Sequence, residues 1–282
     1  MPYRLLDSGD GRKLEQFGEL VLDRPRSGAV WHKSLPAGVW GKANGVFVRE
    51  GGTQWSWKVQ PPKEWRVSVD GLTFALRPTD FGHVGVFPEH VHGWRFVADA
   101  LAGAKEQPNV LNLFAYSGGA TLAAARAGAR VCHLDAAKKM VDWARENAGL
   151  NGLSDAPIRW ITDDVMKFLK REARRGARYE GIILDPPNFG RGTRMEVFKL
   201  EEQVWELLDA VRDVLAEKPL FVVLTCHAAG FTPMVLGHLL GQLLAGKRGQ
   251  VEASEMVLAG EPGVLPLPVG SFAGWRRGAG ES

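Results

Sequence analysis

The sequence predicts an α/β protein, a mainly parallel sheet with helices on both faces, preceded by a small β-rich domain. Three observations carry this reading. From about residue 83 onward, short apolar runs alternate with amphipathic segments, the pattern of successive strand and helix units in a parallel sheet. Residues 1 to about 80 instead scatter Gly, Pro and five of the ten tryptophans among short apolar stretches, which reads as a small β-rich unit. Four of the later apolar runs end in glycines or carboxylates, residue types that serve ligands at strand tips. The expected division is 1–80 for the β-rich domain and 81–282 for the larger one.

In the first part, strand-like runs cover Glu19–Leu22, Gly45–Arg49, Trp55–Val59 and Leu72–Leu76, and the Gly51-Gly52 and Asp70-Gly71 pairs are placed to close hairpins. In the second, helices are expected over Trp94–Ala104, Thr121–Ala127, Lys138–Asn147, Val165–Arg174, Val204–Ala216 and Val235–Leu244. Strands are expected over Asn109–Phe114, Arg130–Leu134, Ile158–Ile161, Tyr179–Leu184 and Leu220–Thr225, with the last ones supplied by the tail from Val251.

Composition narrows the function classes. With 45% hydrophobic residues over 282 positions there is ample material for a core. The charge of +3, from 35 basic and 32 acidic side chains, is too balanced to announce a nucleic-acid binder by itself. Cys132 and Cys226 stand far apart with no CxxC, which excludes a disulfide framework and a cysteine zinc site. The start runs into polar sequence and no apolar run of membrane-spanning length follows, so a soluble cytoplasmic protein is expected, without membrane or metal.

The chemistry sits at the strand ends. Val110–Gly119 is a buried run that stops at Ala115-Tyr116-Ser117-Gly118-Gly119 with a helix directly after, a side-chain-poor turn on which a ligand can approach the backbone. It is neither GxGxxG nor a phosphate-binding P-loop. Asp135 ends the next strand and is suited either to accept the hydroxyls of a ribose or to cap the following helix. Asp163-Asp164 ends the third. Asp164 is the expected contact for the exocyclic amine of adenine, with helix capping by Asp163 the competing use. The fourth, Ile182 to Gly190, reads IILDPPNFG. Its two prolines cannot donate main-chain hydrogen bonds, so the strand must end and the chain stiffens at Asp185-Pro186-Pro187.

Through NLFAYSGG, VCHLDAAKKMVDWARENAGLNGL, RWITDDVMKFL and ILDPPNFG, residues 70 to 282 resemble a class I methyltransferase, and more narrowly the bacterial 23S rRNA large-subunit methyltransferases that include the 5-methylcytosine enzymes. The resemblance implies a Rossmann-like fold with a seven-stranded sheet and S-adenosylmethionine as cofactor. It places Ala115, Tyr116, Ser117, Gly118 and Gly119 near the methionine moiety, Asp135 on the ribose and Asp164, with Asp163 beside it, at adenine. The stretch His83 to Glu89 resembles the family's segment that folds over the cofactor, which implies that Phe87 and Glu89 border the site. Asp185-Pro186-Pro187-Asn188-Phe189 matches the family's D-P-P-x-F, so Asp185, Pro186 and Phe189 are the expected acceptor-side residues, Asp185 bordering the cofactor as well. A base reaching this loop must be unpaired or flipped out.

Two features depart from the family. The first 80 residues show no match to the RNA-binding PUA domain with which the cytosine enzymes usually begin. The family's nucleophilic cysteine lies in L-T-x-S-C-S-G, whereas Leu224 to Gly230 reads LTCHAAG, with Ala228 in the cysteine's place and Cys226 two residues early. Cys226 is therefore either a displaced nucleophile for cytosine C5 or a buried structural thiol, and His227 either a proton carrier or an exposed histidine. The leading expectation is methylation of a base of 23S-type ribosomal RNA, with cytosine C5 as the candidate atom. The D-P-P-x-F spacing resembles the ring-carbon enzymes more than the amine ones, in which the aromatic directly follows the second proline. A base amine, a protein or a small molecule is the alternative acceptor, and a catalytically idle RNA-binding or ribosome-assembly factor is the alternative of another class. The basic run from Lys167 to Arg175 with Arg178 is either an RNA contact or a solvated helix face. A nicotinamide dehydrogenase would need GxGxxG and has no use for DPPNF.

Overall fold

The computed structural model describes residues 1–49, 54–104, 106–187, 189–191 and 197–278, with the backbone alone for 189–191, 197 and 198. Two compact units are present, Met1–Val91 with Val257–Val269, and His92–Met256 with Gly270–Ser282.

The first unit holds a five-stranded sheet of β1 (Tyr3–Gly9), β2 (Arg12–Phe17), β3 (Leu20–Pro25), β4 (Gly45–Val48) and β5 (Gln54–Trp57), adjacent in that order, with the short helix α1 (Ala37–Trp40) between β3 and β4. A separate hairpin pairs β6 (Arg66–Val69) with β7 (Leu72–Ala75). Asp70 and Gly71 both take positive φ, 50° and 72°, which a type I′ turn requires of its two central residues, so this pair closes the hairpin expected of it. Asp10-Gly11, at 49° and 73°, does the same between β1 and β2. Asp10-Gly11 carries the same local turn signal as Asp70-Gly71, although the strands on either side of it were not among those expected. Asp7 accepts the N–H groups of Ser34 and Leu35 and the indole N–H of Trp40, tying down the loop that leads to α1. The Gly51-Gly52 pair lies outside the described residues.

The second unit is a seven-stranded sheet with helices against it. Its elements are α2 (Val91–Ala102), β8 (Asn109–Leu113), α3 (Gly119–Arg126), β9 (Arg130–Asp135), α4 (Lys138–Leu150), β10 (Ile158–Thr162), α5 (Val165–Arg174), β11 (Gly181–Leu184), the small antiparallel pair β12 (Phe189–Arg191) and β13 (Val197–Lys199), α6 (Leu200–Arg212), β14 (Phe221–Cys226), α7 (Pro233–Leu243), β15 (Gly249–Leu258) and β16 (Leu267–Arg277). The strand order is β10-β9-β8-β11-β14-β16-β15. The first five strands run parallel, and β16 is antiparallel to β14. β11 and β14 are buried at every position, which is why they read as unbroken apolar runs rather than alternating ones. Leu111, Leu134, Phe168, Ile182, Leu208 and Leu224 belong to the core they share with the helices.

The expected elements are present with shifted ends. The strand read from Tyr179 starts at Gly181, since Tyr179 makes only an isolated bridge to Leu215. The helix read over 204–216 starts at Leu200, where Glu201 and Glu202 favour its positive end, and stops at Arg212. The chain lays β8 in the middle, builds outward to β10, then returns to place β11 on the other side of β8. The order therefore reverses between β8 and β11, and at such a point an open sheet leaves a crevice at its carboxyl edge.

Candidate active site

The turn after β8 is held in a conformation that its residues would not choose alone. Phe114 and Tyr116 have φ of 57° and 49°. A left-handed non-glycine residue costs about 1 to 2 kcal/mol and persists only where its surroundings impose it. The surroundings here are specific. Ala115 N–H donates to Leu134 O at 3.0 Å, Tyr116 N–H to Asp135 Oδ2 at 2.9 Å, and the fully buried Asn147 of α4 donates Nδ2 to Ser117 O at 2.9 Å. Gly118, at φ 92°, is the N-cap of α3. At Gly119 a Cβ would lie 2.4 Å from the Trp94 ring, so the missing side chain is required by helix packing as well as by any ligand on the outer side.

Beneath the turn, Asn112 Nδ2 donates to Thr121 Oγ1 at 2.8 Å, and Thr121 Oγ1 meets His133 Nδ1 at 2.9 Å. Burial drives the His133 pKa down to about 3, so this imidazole is neutral and serves the scaffold. Asn147, Thr121 and His133 escaped the sequence reading because a polar residue inside a helix or strand carries no local mark of a long-range partner.

Asp135 sits half-buried at the tip of β9. Its Oδ1 accepts the Ala137 N–H at 2.9 Å while Oδ2 holds Tyr116. Burial raises its pKa, opposed by these two N–H groups. The N-cap of α4 is Ala137, so the capping use of Asp135 is not the one realised. An ionised carboxylate has about four lone-pair directions, which leaves acceptor capacity beyond the two N–H groups for a diol.

At the tip of β10 the capping role considered for Asp163 falls to Asp164, whose side chain accepts the Lys167 N–H at 3.0 Å. Asp163 instead accepts the Asp164 N–H at 2.8 Å and pairs with Arg171 at 2.7 Å, while its own N–H donates to Asp135 O at 3.2 Å. Three members of the basic run along α5 are paired with acids. Arg171 pairs with Asp163, Arg175 with Glu172 and Lys170 with Glu206.

Asp185 follows β11, whose Leu184 is in register with Leu113 of β8 and Leu224 of β14. It is half-buried, Pro186 is buried and Pro187 exposed. Thr225, the next residue along β14, donates Oγ1 to Asp185 Oδ1 at 2.7 Å. Asn188 and the Phe189 side chain lie outside the described residues. Cys226 is buried, its Sγ accepts the Ala228 N–H at 3.3 Å, and burial pushes the thiol pKa up to about 11, with the charge of Asp185 adding to the rise. Such a thiol is protonated at neutral pH. His227 is exposed and Ala228 half-buried. Phe87 and Glu89 belong to the first unit, where the Phe87 ring packs edge-on to His83 at 4.9 Å.

The glycine turn, Asp135 and Asp163 are thus joined by direct hydrogen bonds, and Asp185 ends the strand on the other side of β8. All stand at the carboxyl edge of one sheet. The edge offers backbone for a close approach, a carboxylate for a diol, further carboxylates for an amine, and a rigid acid-proline loop. This suits a nucleoside-bearing ligand beside a second reactant.

Residues 47–228 match the S-adenosylmethionine-dependent methyltransferase family. The crystal structure of a SAM-dependent methyltransferase from Agrobacterium tumefaciens is similar at a TM-score of 0.92 and 40% identity, covering 99% of this chain and 91% of that one. Ribosomal RNA large subunit methyltransferase K/L of Shewanella frigidimarina is 39% identical over 127 residues, 45% of this chain and 17% of that protein. The K/L protein of Pseudomonas paraeruginosa is 38% identical over 152 residues, 53% of this chain and 20% of that protein. The matched stretch spans a fifth or less of these curated relatives. Among the described residues no helix is long and apolar enough to cross a membrane.

Proposed function

Because the chain belongs to the S-adenosylmethionine-dependent methyltransferase family, we propose that its strand-tip site methylates a base of ribosomal RNA. The observation that carries the placement of the cofactor is the interlock of the glycine turn with Asp135 through the Tyr116 N–H. In this reading the backbone of Ala115 to Gly119 lies against the methionine moiety, Asp135 takes the ribose hydroxyls, and Asp163 or Asp164 takes the adenine amine. The sulfonium of the bound cofactor supplies the electrophilic methyl group. The chain's own contribution on the acceptor side is position. Asp185 and Pro186 fix the rim on which an unpaired or flipped base is presented. The acceptor class rests on the relatives named as ribosomal RNA methyltransferases, and a ribosomal substrate implies work in the cytoplasm.

The state of Cys226 favours one acceptor chemistry over another. Methylation at cytosine C5 needs a thiolate to add to C6, and a buried thiol with its pKa near 11 is a poor source of one. A nitrogen acceptor, with its own lone pair, needs no such adduct and is the better fit to this site. Mass spectrometry of ribosomal RNA nucleosides from cells with and without the gene tests both statements. Loss of one methylated base supports the RNA reading and identifies the atom, an unchanged nucleoside profile overturns it, and loss of 5-methylcytosine overturns the preference for nitrogen.

A further inference from the structure

We infer that Thr225 is a positioning residue for methyl transfer, holding the Asp185 carboxylate in its working orientation. The inference rests on the reading of Asp185 as an acceptor-side residue. Strands β11 and β14 run parallel with Leu184 opposite Leu224, so the next residue on each, Asp185 and Thr225, are neighbours at the tips. Thr225 Oγ1 lies 2.7 Å from Asp185 Oδ1 and 3.3 Å from Leu184 O. A hydroxyl has one proton, and the shorter contact to the charged acceptor takes it.

Thr225 is almost fully buried, so water does not compete for its donor, whereas Asp185 is half-buried and reaches the rim. The β-branched Thr225 has a restricted χ1, and β14 is fixed between β11 and β16. The hydrogen bond therefore transmits the rigidity of the sheet to a carboxylate that stands just beyond the end of its own strand. The proline pair fixes the main chain after Asp185, but nothing in a proline restricts the Asp185 side chain. Thr225 supplies a restraint on that side chain, acting through Asp185.

The test compares Thr225→Val, Thr225→Ala and Thr225→Ser with the unaltered full chain. Methyl transfer from tritiated S-adenosylmethionine to in vitro transcribed large-subunit rRNA is measured, alongside cofactor affinity by calorimetry. The expected result is a kcat lowered tenfold to a hundredfold in Thr225→Val and Thr225→Ala, with cofactor affinity within twofold of wild type and Thr225→Ser within threefold on both measures. Wild-type kcat in a Thr225→Val protein that binds cofactor normally overturns the inference, as does a Thr225→Ser as slow as Thr225→Val, because then the hydroxyl is not what matters. Asp185→Asn separates the two levels. If it is slow while Thr225→Val is fast, the positioning role falls and the reading of Asp185 stands; if it runs at full rate, the reading of Asp185 falls and the inference with it.

Discussion

The Tyr116 N–H points at Asp135 Oδ2 from 2.9 Å, so the acid assigned to the ribose also fixes the turn assigned to the methionine moiety. In the proposed site one carboxylate thereby organises two parts of one ligand's surroundings. Replacing Asp135 with Ala removes the proposed ribose acceptor and the restraint on a strained turn together. Cofactor affinity measured by calorimetry is expected to fall at least a hundredfold. Asp135→Asn keeps one acceptor oxygen and is expected to lose about tenfold, in keeping with a hydrogen bond to a charged group being stronger than a neutral one. Wild-type affinity in both variants would remove Asp135 from the site.

Asn147 supports the same turn from α4 through Ser117 O. Asn147→Ala leaves that buried carbonyl without this donor, at a cost of about 1 to 3 kcal/mol, and is expected to lower both the melting temperature and cofactor affinity. A melting curve in the presence of cofactor separates the two effects. If cofactor restores no stability beyond the wild-type increment, the loss is structural; a reduced increment shows that the turn itself has loosened.

At Gly119, substitution by Ala would force the Trp94 ring to move, because the new methyl would sit 2.4 Å from it. Overpacking of this kind costs about 1 to 3 kcal/mol. The expected readout is a lower denaturation midpoint together with altered Trp94 fluorescence. An unshifted midpoint would show that Trp94 has room to retreat.

The cysteines give a pH prediction. Burial raises the thiols of Cys132 and Cys226 to about 11, above the value near 9 of an exposed thiol. Their contribution to stability is complete below about pH 9, the unfolded value, and is lost as pH climbs through about 11, because the unfolded chain sheds these protons first. Alkylation by iodoacetamide at pH 7.5 should be slow in the native protein and rapid in denaturant. Fast native labelling of Cys226, with loss of methyl transfer in Cys226→Ala, would reinstate it as a nucleophile.

His133 and His83 give the opposite limb. Burial lowers their pKa values to about 3 and about 4, below the usual value near 6.5. The stability associated with their neutral forms is present above about pH 6.5 and is lost as pH falls toward 4 and 3, since the unfolded chain takes up these protons first. Each contributes a slope of about 1.4 kcal/mol per pH unit within its window. Chemical denaturation between pH 7 and 4 is expected to show this decline, and His133→Asn to flatten part of it.

Legibility followed the range of the interaction. IILDPPNFG declared a strand tip because its apolar run and its prolines act locally, and Asp70-Gly71 declared its turn because positive φ is a property of two residues. Asp163 and Asp164 were legible as a ligand-type pair but not in their division of labour. Which of them caps α5 depends on Arg171, a full two turns down the helix, drawing Asp163 toward itself. Thr225 and Asn147 were silent, since each acts on a residue 30 or more positions away. The tail was legible as the last strands but not in their order, because β16 takes its place between β14 and β15 by register rather than by composition.

The antiparallel β16 lies between β14 and β15, yet follows both in the chain. During synthesis β14 therefore emerges with one flank bare, and its closing partner arrives only after β15 has been made. The ladders joining β8, β9 and β10 include no residue of that segment. Pairing among β8, β9 and β10 can therefore run ahead of the closing of the β14 flank, and a ribosome-released chain truncated before β16 would leave an open, aggregation-prone ledge beside Thr225.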